Sequence, residues 1–436
     1  MTAPEAPPGT VLAGWLQRAV PATPQERGVA LWAFAYFFTL LAGYYVLRPL
    51  RDQMGIAGGV KNLPWLFTAT FVTLLAAQPL YGALVARLPR VRFIPIVYHF
   101  FVANLIVFWL LLSFGVEKVA VARVFFVWVS VFNLFAVAVF WSFMADLFTS
   151  EQGKRLFGFI GAGGTAGALL GPVVTLWLAK PFGPANLLIV AGVFLELAVL
   201  CVHRIERVAR PLAQALPQQQ RVGGNALAGL SELIRSPYLL GVAAWVSLLS
   251  FGATVAYLAQ AHIVAAMVHG DTSQTRLFAS IDLAVNLLSL ATQIFVTASL
   301  LKRFGAGIAA AALPAVYVLG FAALALAPVL TVVFALQVTQ RWMNFAVANP
   351  ARQLFFTVVG REEKYKAKSM IDVVVYRGSD ALYGWVYDSL QALGLKLGAI
   401  AWCALPVAAL WAALSIALGR TQERLATPTQ DQGVPQ

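Results

Sequence analysis

The sequence predicts an all-α polytopic membrane protein, with twelve transmembrane helices arranged as two six-helix bundles. Of its 436 residues, 60% are hydrophobic and only 11% charged, a balance foreign to soluble domains. The apolar residues fall in runs long enough to cross a hydrocarbon core of about 30 Å. One long polar interior segment, 204–236, carries Pro211, Pro217, a glutamine triplet and Gly223-Gly224, and it divides the runs six and six.

Taken in order, a tail, 1–27, holds Arg18, Glu26 and Arg27. The first apolar run, 28–47, lacks a small-x-small cleavage site and reads as a retained span. Runs at 63–86, 93–114, 119–145, 156–179 and 185–203 complete an N-terminal bundle, 28–203. After the 204–236 linker, runs at 237–264, 277–300, 306–327, 329–349, 367–391 and 397–418 form a C-terminal bundle, 237–419, and 420–436 is a second tail. Alternate loops differ sharply in basic residues. One side collects Arg87, Arg90, Arg92, Lys154, Arg155, the arginines of the linker, Lys302, Arg303, Arg352 and the run Arg361 to Lys368, whereas the other holds only Arg48, Arg51, Lys61, Lys118, Arg123, Lys180, Arg276 and Lys396. That bias places both termini and the linker in the cytoplasm.

The net charge of +13 is spread over these short loops and not gathered in one basic domain, so a nucleic-acid partner is not expected. The partners are the bilayer and a small-molecule substrate, with the chain acting as a monomer. Cys201 and Cys403 lie in apolar runs and imply no disulfide framework. His99, His203, His262 and His269 show no metal-ligand spacing, and no Walker lysine motif, nucleophile elbow or clustered carboxylate pair is present. No metal, cofactor or enzymatic activity is therefore expected. The glycine-rich stretch GFIGAGGTAGALLG follows no strand. Gly158, Gly161, Gly164, Ala168 and Gly171 at helical spacing read as a close-packing helix face, not a nucleotide loop.

Charge inside a span is costly and marks function. Asp282, Asn286, Ser289 and Gln293 share one stripe of span eight, and Gln337, Arg341 and Asn344 repeat that spacing on span ten. Arg341 lies near mid-membrane and needs either an anionic substrate or a structural partner, Asp282 or Asp372. Span eleven offers Asp372 and Tyr376 on a broad polar face, and Arg377 and Asp380 at i, i+3 can pair. At the end of span one Tyr44, Arg48 and Arg51 share a face. Span six carries Glu196, read as a paired acid or as a proton-coupling group.

The two halves resemble each other. GKRLFGFIGAGG entering span five matches AKSMIDVVVYRG entering span eleven, and the Arg87 and Arg303 loops correspond. Two such halves, joined by a cytoplasmic linker, resemble the major facilitator superfamily. Both loops are degenerate versions of its G-x-x-x-D-R-x-G-R-R motif, with Ala86 and Lys302 where that motif has Asp. Three segments resemble the ATP:ADP antiporter group of that architecture: YYVLRPLRDQMG from Tyr44, FWSFMADLFTSEQGKRLFGFIGAGGTAGALLGP from Phe140, and NPARQLFFTVVGREEKYKAKSMIDVVVYRGSDALYGW from Asn349. The family's R-x-x-[K/R]-D signature falls on Arg48, Arg51 and Asp52, and its K-x-x-I-D-V-V entry to helix eleven on Lys368 and Ile371 to Val374. The resemblance implies an exchanger of ATP/ADP-type anions with Arg51 on phosphate. It also implies departures, since span four offers only Asn133 where the family has an acid, and Arg377 then Asp380 stand where it has a lysine. The site set expected for an anionic substrate is Arg48, Arg51, Asn133, Asp282, Asn286, Gln337, Arg341, Asn344, Asp372, Tyr376, Arg377 and Asp380. The alternative is a proton-coupled porter of another small solute, with Asp282 or Asp372 as the proton site.

Overall fold

Every run of apolar sequence becomes helix, because a backbone in hydrocarbon must satisfy its own hydrogen bonds. The computed structural model describes residues 23–87, 90–213, 233–360, 367–368 and 370–426. Most of the linker, the ends of both tails and the basic run from Arg361 to Lys366 lie outside those residues. The N-terminal helices are α1 (Pro24–Ala57), α2 (Leu63–Arg87), α3 (Arg90–Ser113), α4 (Lys118–Leu147), α5 (Ser150–Phe182) and α6 (Leu187–Ala213). They are followed by α7 (Pro237–Met267), α8 (Asp271–Phe295) and α9 (Thr297–Leu326). The tenth helix, α10, is composite: Leu330–Met343, a π-helical turn Asn344–Ala348, and Asn349–Phe355. The eleventh, α11, includes a π-helical turn Ile371–Val375 and runs on through Tyr376–Ala392, and α12 is Leu397–Ala426.

Ten helices among the described residues are long and apolar enough to cross a membrane unaided. Helices α10 and α11 fall short of that measure. Their π turns break them into shorter pieces, and Arg341, Asp372, Arg377 and Asp380 sit on those pieces.

Local sequence explains several boundaries. At α5 the Thr149 hydroxyl accepts from the Gln152 amide and the Gln152 side chain accepts from the Thr149 amide, a reciprocal capping box. Ser236 caps α7 with Pro237 in its first turn. The segment after α8, expected as a loop around Lys302 and Arg303, is instead helical. It begins at Thr297 and breaks only at Gly305, whose φ of 73° is open to glycine and costly for other residues.

By contacts the chain forms two compact units. The first takes the chain to Arg51, Gln78–Glu117, and Trp128 onward through α6; the second takes Asp52–Ala77, Lys118–Val127 and the helices from α7 on. Within the first unit, Gly163, Gly164, Gly167 and Gly171 of α5 lie so close to α1 that an added Cβ would overlap the Phe34 and Phe38 carbonyls, the Phe37 ring or Tyr45. This is the close-packing face expected from the glycine pattern, but Gly163 and Gly167 join Gly164 and Gly171 on it. Gly158 and Gly161 meet nothing and do not belong to it. Both helices start under one clamp, since Glu26, buried at 5% exposure, accepts from Gln152 at 2.8 Å and from Arg155 at 3.0 and 3.2 Å. In the second unit α9 and α12 approach backbone to backbone at Gly307 and Gly419.

Candidate functional site

The polar stripes of α8 and α10 meet inside the second unit. Asp282 is 1% exposed, and one of its oxygens accepts from Arg341 Nη2. Of the two partners that sequence left open for Arg341, the structure takes Asp282. Asp372 pairs instead with Arg352, its Oδ1 3.1 Å from Nη1. Arg352 had been assigned to a cytoplasmic loop, but it lies on the last piece of α10 and its side chain is 14% exposed. Arg377 and Asp380 pair at 3.2 Å as their spacing predicted, and Asp380 also accepts from Ser250 on α7 at 2.6 Å. The guanidinium of Arg377 lies 5.5 Å from the Tyr376 ring centroid. From Ser379 the network continues through Ser247 to the Tyr383 hydroxyl, tying α11 to α7.

A second network was not foreseen. The Tyr317 hydroxyl on α9 donates to Gln340 Oε1 at 2.7 Å, and Gln340 Nε2 donates to Gln337 Oε1 at 2.9 Å. All three residues are buried. With its oxygen engaged, Gln337 has only its amide nitrogen left to offer, and that buried Nε2 meets no acceptor. One turn on, Arg341 Nε is also buried without an acceptor, although Nη2 holds Asp282. Asn344 Oδ1 and Ser289 Oγ complete a set of buried polar atoms without partners among the described residues. A buried unpaired donor costs about 1–3 kcal/mol. Two of them a turn apart, beside an ion pair, are an arrangement a ligand oxygen would relieve. The Tyr317–Gln340 hydrogen bond ties α9 to α10 at this point. Asn286, buried on α8, is one turn from Asp282.

Both π turns fall on this region, with Asn344 in one and Asp372 in the other. Such turns occur mostly as single insertions into α-helices, often at functional sites. The apolar pattern carried no sign of them.

In the first unit Arg51 donates from Nε to the Ser130 hydroxyl at 3.0 Å, and Asn133 is half-buried three residues farther along α4. Arg48 packs over Tyr45, 5.7 Å from its ring centroid. The structure thus places Arg51 and Asn133 on neighbouring turns of α1 and α4. Asp282, Gln337, Arg341 and Asn344 lie in the second unit.

An all-helical fold with ten candidate membrane spans among the described residues and paired charges on its helices defines a polytopic membrane protein. The profile of the Major Facilitator Superfamily matches residues 27–363, and the chain belongs to that family. Among solved structures it is similar to a bacterial homologue of the iron transporter ferroportin in an inward-facing state, at 12% identity and a TM-score of 0.65 over 90% of this chain and 98% of that one. A crystal structure of the nucleoside transporter NupG matches at 15% identity and a TM-score of 0.60, covering 92% and 100%. A bacterial homologue of the human lysosomal transporter Spinster matches at 13% and 0.53, covering 94% and 100%. At these identities the likeness is one of fold. No curated protein sequence matches the chain.

Proposed function

We propose that the chain is a secondary transporter of a small organic anion, best matched by ATP/ADP-type nucleotides taken in exchange, in a bacterial inner membrane with both termini cytoplasmic. One observation carries the reading: the two unpartnered buried donors, Arg341 Nε and Gln337 Nε2, stand one turn apart next to the Asp282–Arg341 pair. Two N–H groups from a cationic and a neutral side chain suit an oxyanion such as phosphate or carboxylate. Asn344 Oδ1 and Ser289 Oγ could then accept from the rest of the substrate. The resemblance of Arg48, Arg51 and Asp52, and of Lys368 with Ile371 to Val374, to the ATP:ADP antiporter signatures supports the nucleotide assignment. So does the presence of a nucleoside transporter among the chains of like fold.

In proteoliposomes loaded with ADP, uptake of labelled ATP is expected to fall at least tenfold in Arg341→Ala while the variant remains monodisperse. Undiminished uptake would remove Arg341 from the site. A second reading is a proton-coupled porter of another small solute, with Asp282, buried against Arg341, as the proton site. Uptake would then follow an imposed pH gradient without counter-substrate and lose that dependence in Asp282→Asn.

A further inference from the structure

Glu196 stands near the middle of α6, about 13 Å along the helix from Leu187 at about 1.5 Å per residue. Its carboxylate Oε2 lies 3.4 Å from Nε2 of His99 on α3, and the two side chains are 45% and 54% exposed. An ionisable pair open on the surface of two membrane helices faces hydrocarbon, which penalises any net charge. The other imidazole nitrogen, Nδ1, lies 2.7 Å from the Pro95 carbonyl oxygen. A carbonyl only accepts, so Nδ1 carries a hydrogen and Nε2 is the nitrogen turned to Glu196. A bare carboxylate against a neutral imidazole would set lone pair against lone pair and leave a charge in the membrane. One proton held between the two groups, whether drawn as acid and imidazole or as carboxylate and imidazolium, would leave the pair neutral. No other charged residue lies between Phe93 and Ser113 on α3, and the nearest on α6 are His203 and Arg204, two turns on.

The same seam between α3 and α6 opens into a cavity of about 440 Å³, lined by Val102, Leu105, Leu188, Val193, Leu197 and four other apolar or glycine positions, with Glu196 as its one polar residue. That volume falls in the range of about 300–1,000 Å³ usual for small-molecule sites. Gly192 keeps it open, since an added Cβ there would meet only Val102, at 4.0 Å.

We propose that this groove binds a single-chain lipophilic amine that enters from the bilayer, its alkyl chain along the α3–α6 seam and its nitrogen at Glu196. The neutral free amine is the form that dissolves in hydrocarbon. On arrival its nitrogen lone pair takes the one proton shared by Glu196 and His99. The product is an ammonium held by the Glu196 carboxylate, beside a neutral His99 whose Nδ1–H still bonds Pro95. One proton has moved and no net charge has entered the membrane. A lone carboxylate without the histidine would lack a partner while the site is empty, which accounts for the pairing.

The test is equilibrium binding of radiolabelled dodecylamine to the purified protein in phosphatidylcholine nanodiscs, with bilayer lipid present as competitor. Saturable binding is expected, weakened at least tenfold in Glu196→Gln and lost in Gly192→Trp, which fills the groove. Dodecanol, of equal length and without a basic nitrogen, is expected to displace the amine poorly. Arg341→Ala is expected to bind dodecylamine normally, which separates this site from the proposed transport site. Equal binding by wild type and Glu196→Gln, or equal displacement by dodecanol, would overturn the proposal and leave an ordinary groove for lipid chains. Unchanged binding in a folded Gly192→Trp would place the amine elsewhere and overturn it as well.

Discussion

At the residue scale the glycines of α5 separate two roles that one composition conceals. Gly163, Gly164, Gly167 and Gly171 bring α5 against the α1 backbone, whereas Gly158 and Gly161 face open space on the same helix. Without a hydrophobic drive between helices in lipid, association rests on close packing of this kind. Gly167→Ala would push a methyl into the Phe38 carbonyl and is expected to destabilise by about 1–3 kcal/mol, as overpacking does. Gly158→Ala adds a methyl in open space and removes helix-disfavouring glycine, so it is expected to be neutral or to stabilise by about 0.5–1 kcal/mol. Melting temperatures of the two detergent-purified variants check the contrast, and equal shifts would refute it. Helical spacing in the sequence located the stripe but could not tell which glycines faced α1, because a pattern at i, i+3, i+4 fixes a face and not the neighbour it meets.

At the element scale the two helices that depart from plain apolar spans carry, among the described residues, both π turns and the three arginines paired with aspartate in the second unit. A π turn adds one residue without rotating the rest of the helix, so it can reposition one side chain while both flanks keep their faces. Asp372 occupies such a position and reaches Arg352, joining the last piece of α10 to the start of the described α11. Arg352→Ala should strand a partly buried carboxylate and destabilise more than the double change Arg352→Ala with Asp372→Ala, in which neither charge is left alone. A double-mutant cycle on thermal unfolding tests this, and strictly additive single effects would show that the pair is incidental. Sequence periodicity placed Asp282, Gln337 and Arg341 on facing stripes and narrowed the partner of Arg341 to two aspartates. It missed Gln340 and Tyr317 because Gln340 lies one residue off the next step of the stripe and Tyr317 comes from another helix. It read Arg352 as loop because Asn349-Pro350 looks like a helix end, yet the π turn carries the helix through it.

At the scale of the whole molecule, the polar linker marks where the chain divides in sequence, but the second compact unit also claims parts of α1, α2 and α4. Hydropathy sees a continuous span and cannot show that its two ends pack with different neighbours. Inside that unit, Leu63, Leu66 and Phe126 share one core with residues of α7 and α9 to α12. Polar contacts reinforce it. Tyr257 donates to Asp52 at 3.1 Å, Gln53 to Asp271 at 2.9 Å and Trp385 to Thr68 at 3.0 Å, and Lys118 pairs with Asp271. The Lys118 pair is half exposed and adds little, whereas polar contacts between membrane helices contribute about 0.6–2 kcal/mol each. Segments from before the linker are therefore joined to those after it by packing and hydrogen bonds that do not need the covalent linker. Two polypeptides made by cutting the gene between Gln218 and Gln219 are expected to copurify after coexpression in detergent with only one of them tagged. Phe126→Ala with Asp271→Ala should lower the recovered untagged half several-fold by opening the core and releasing Gln53. If the halves separate completely, the linker and not these contacts holds the second unit together; if the double variant copurifies as wild type, the core around Phe126 is not what joins them.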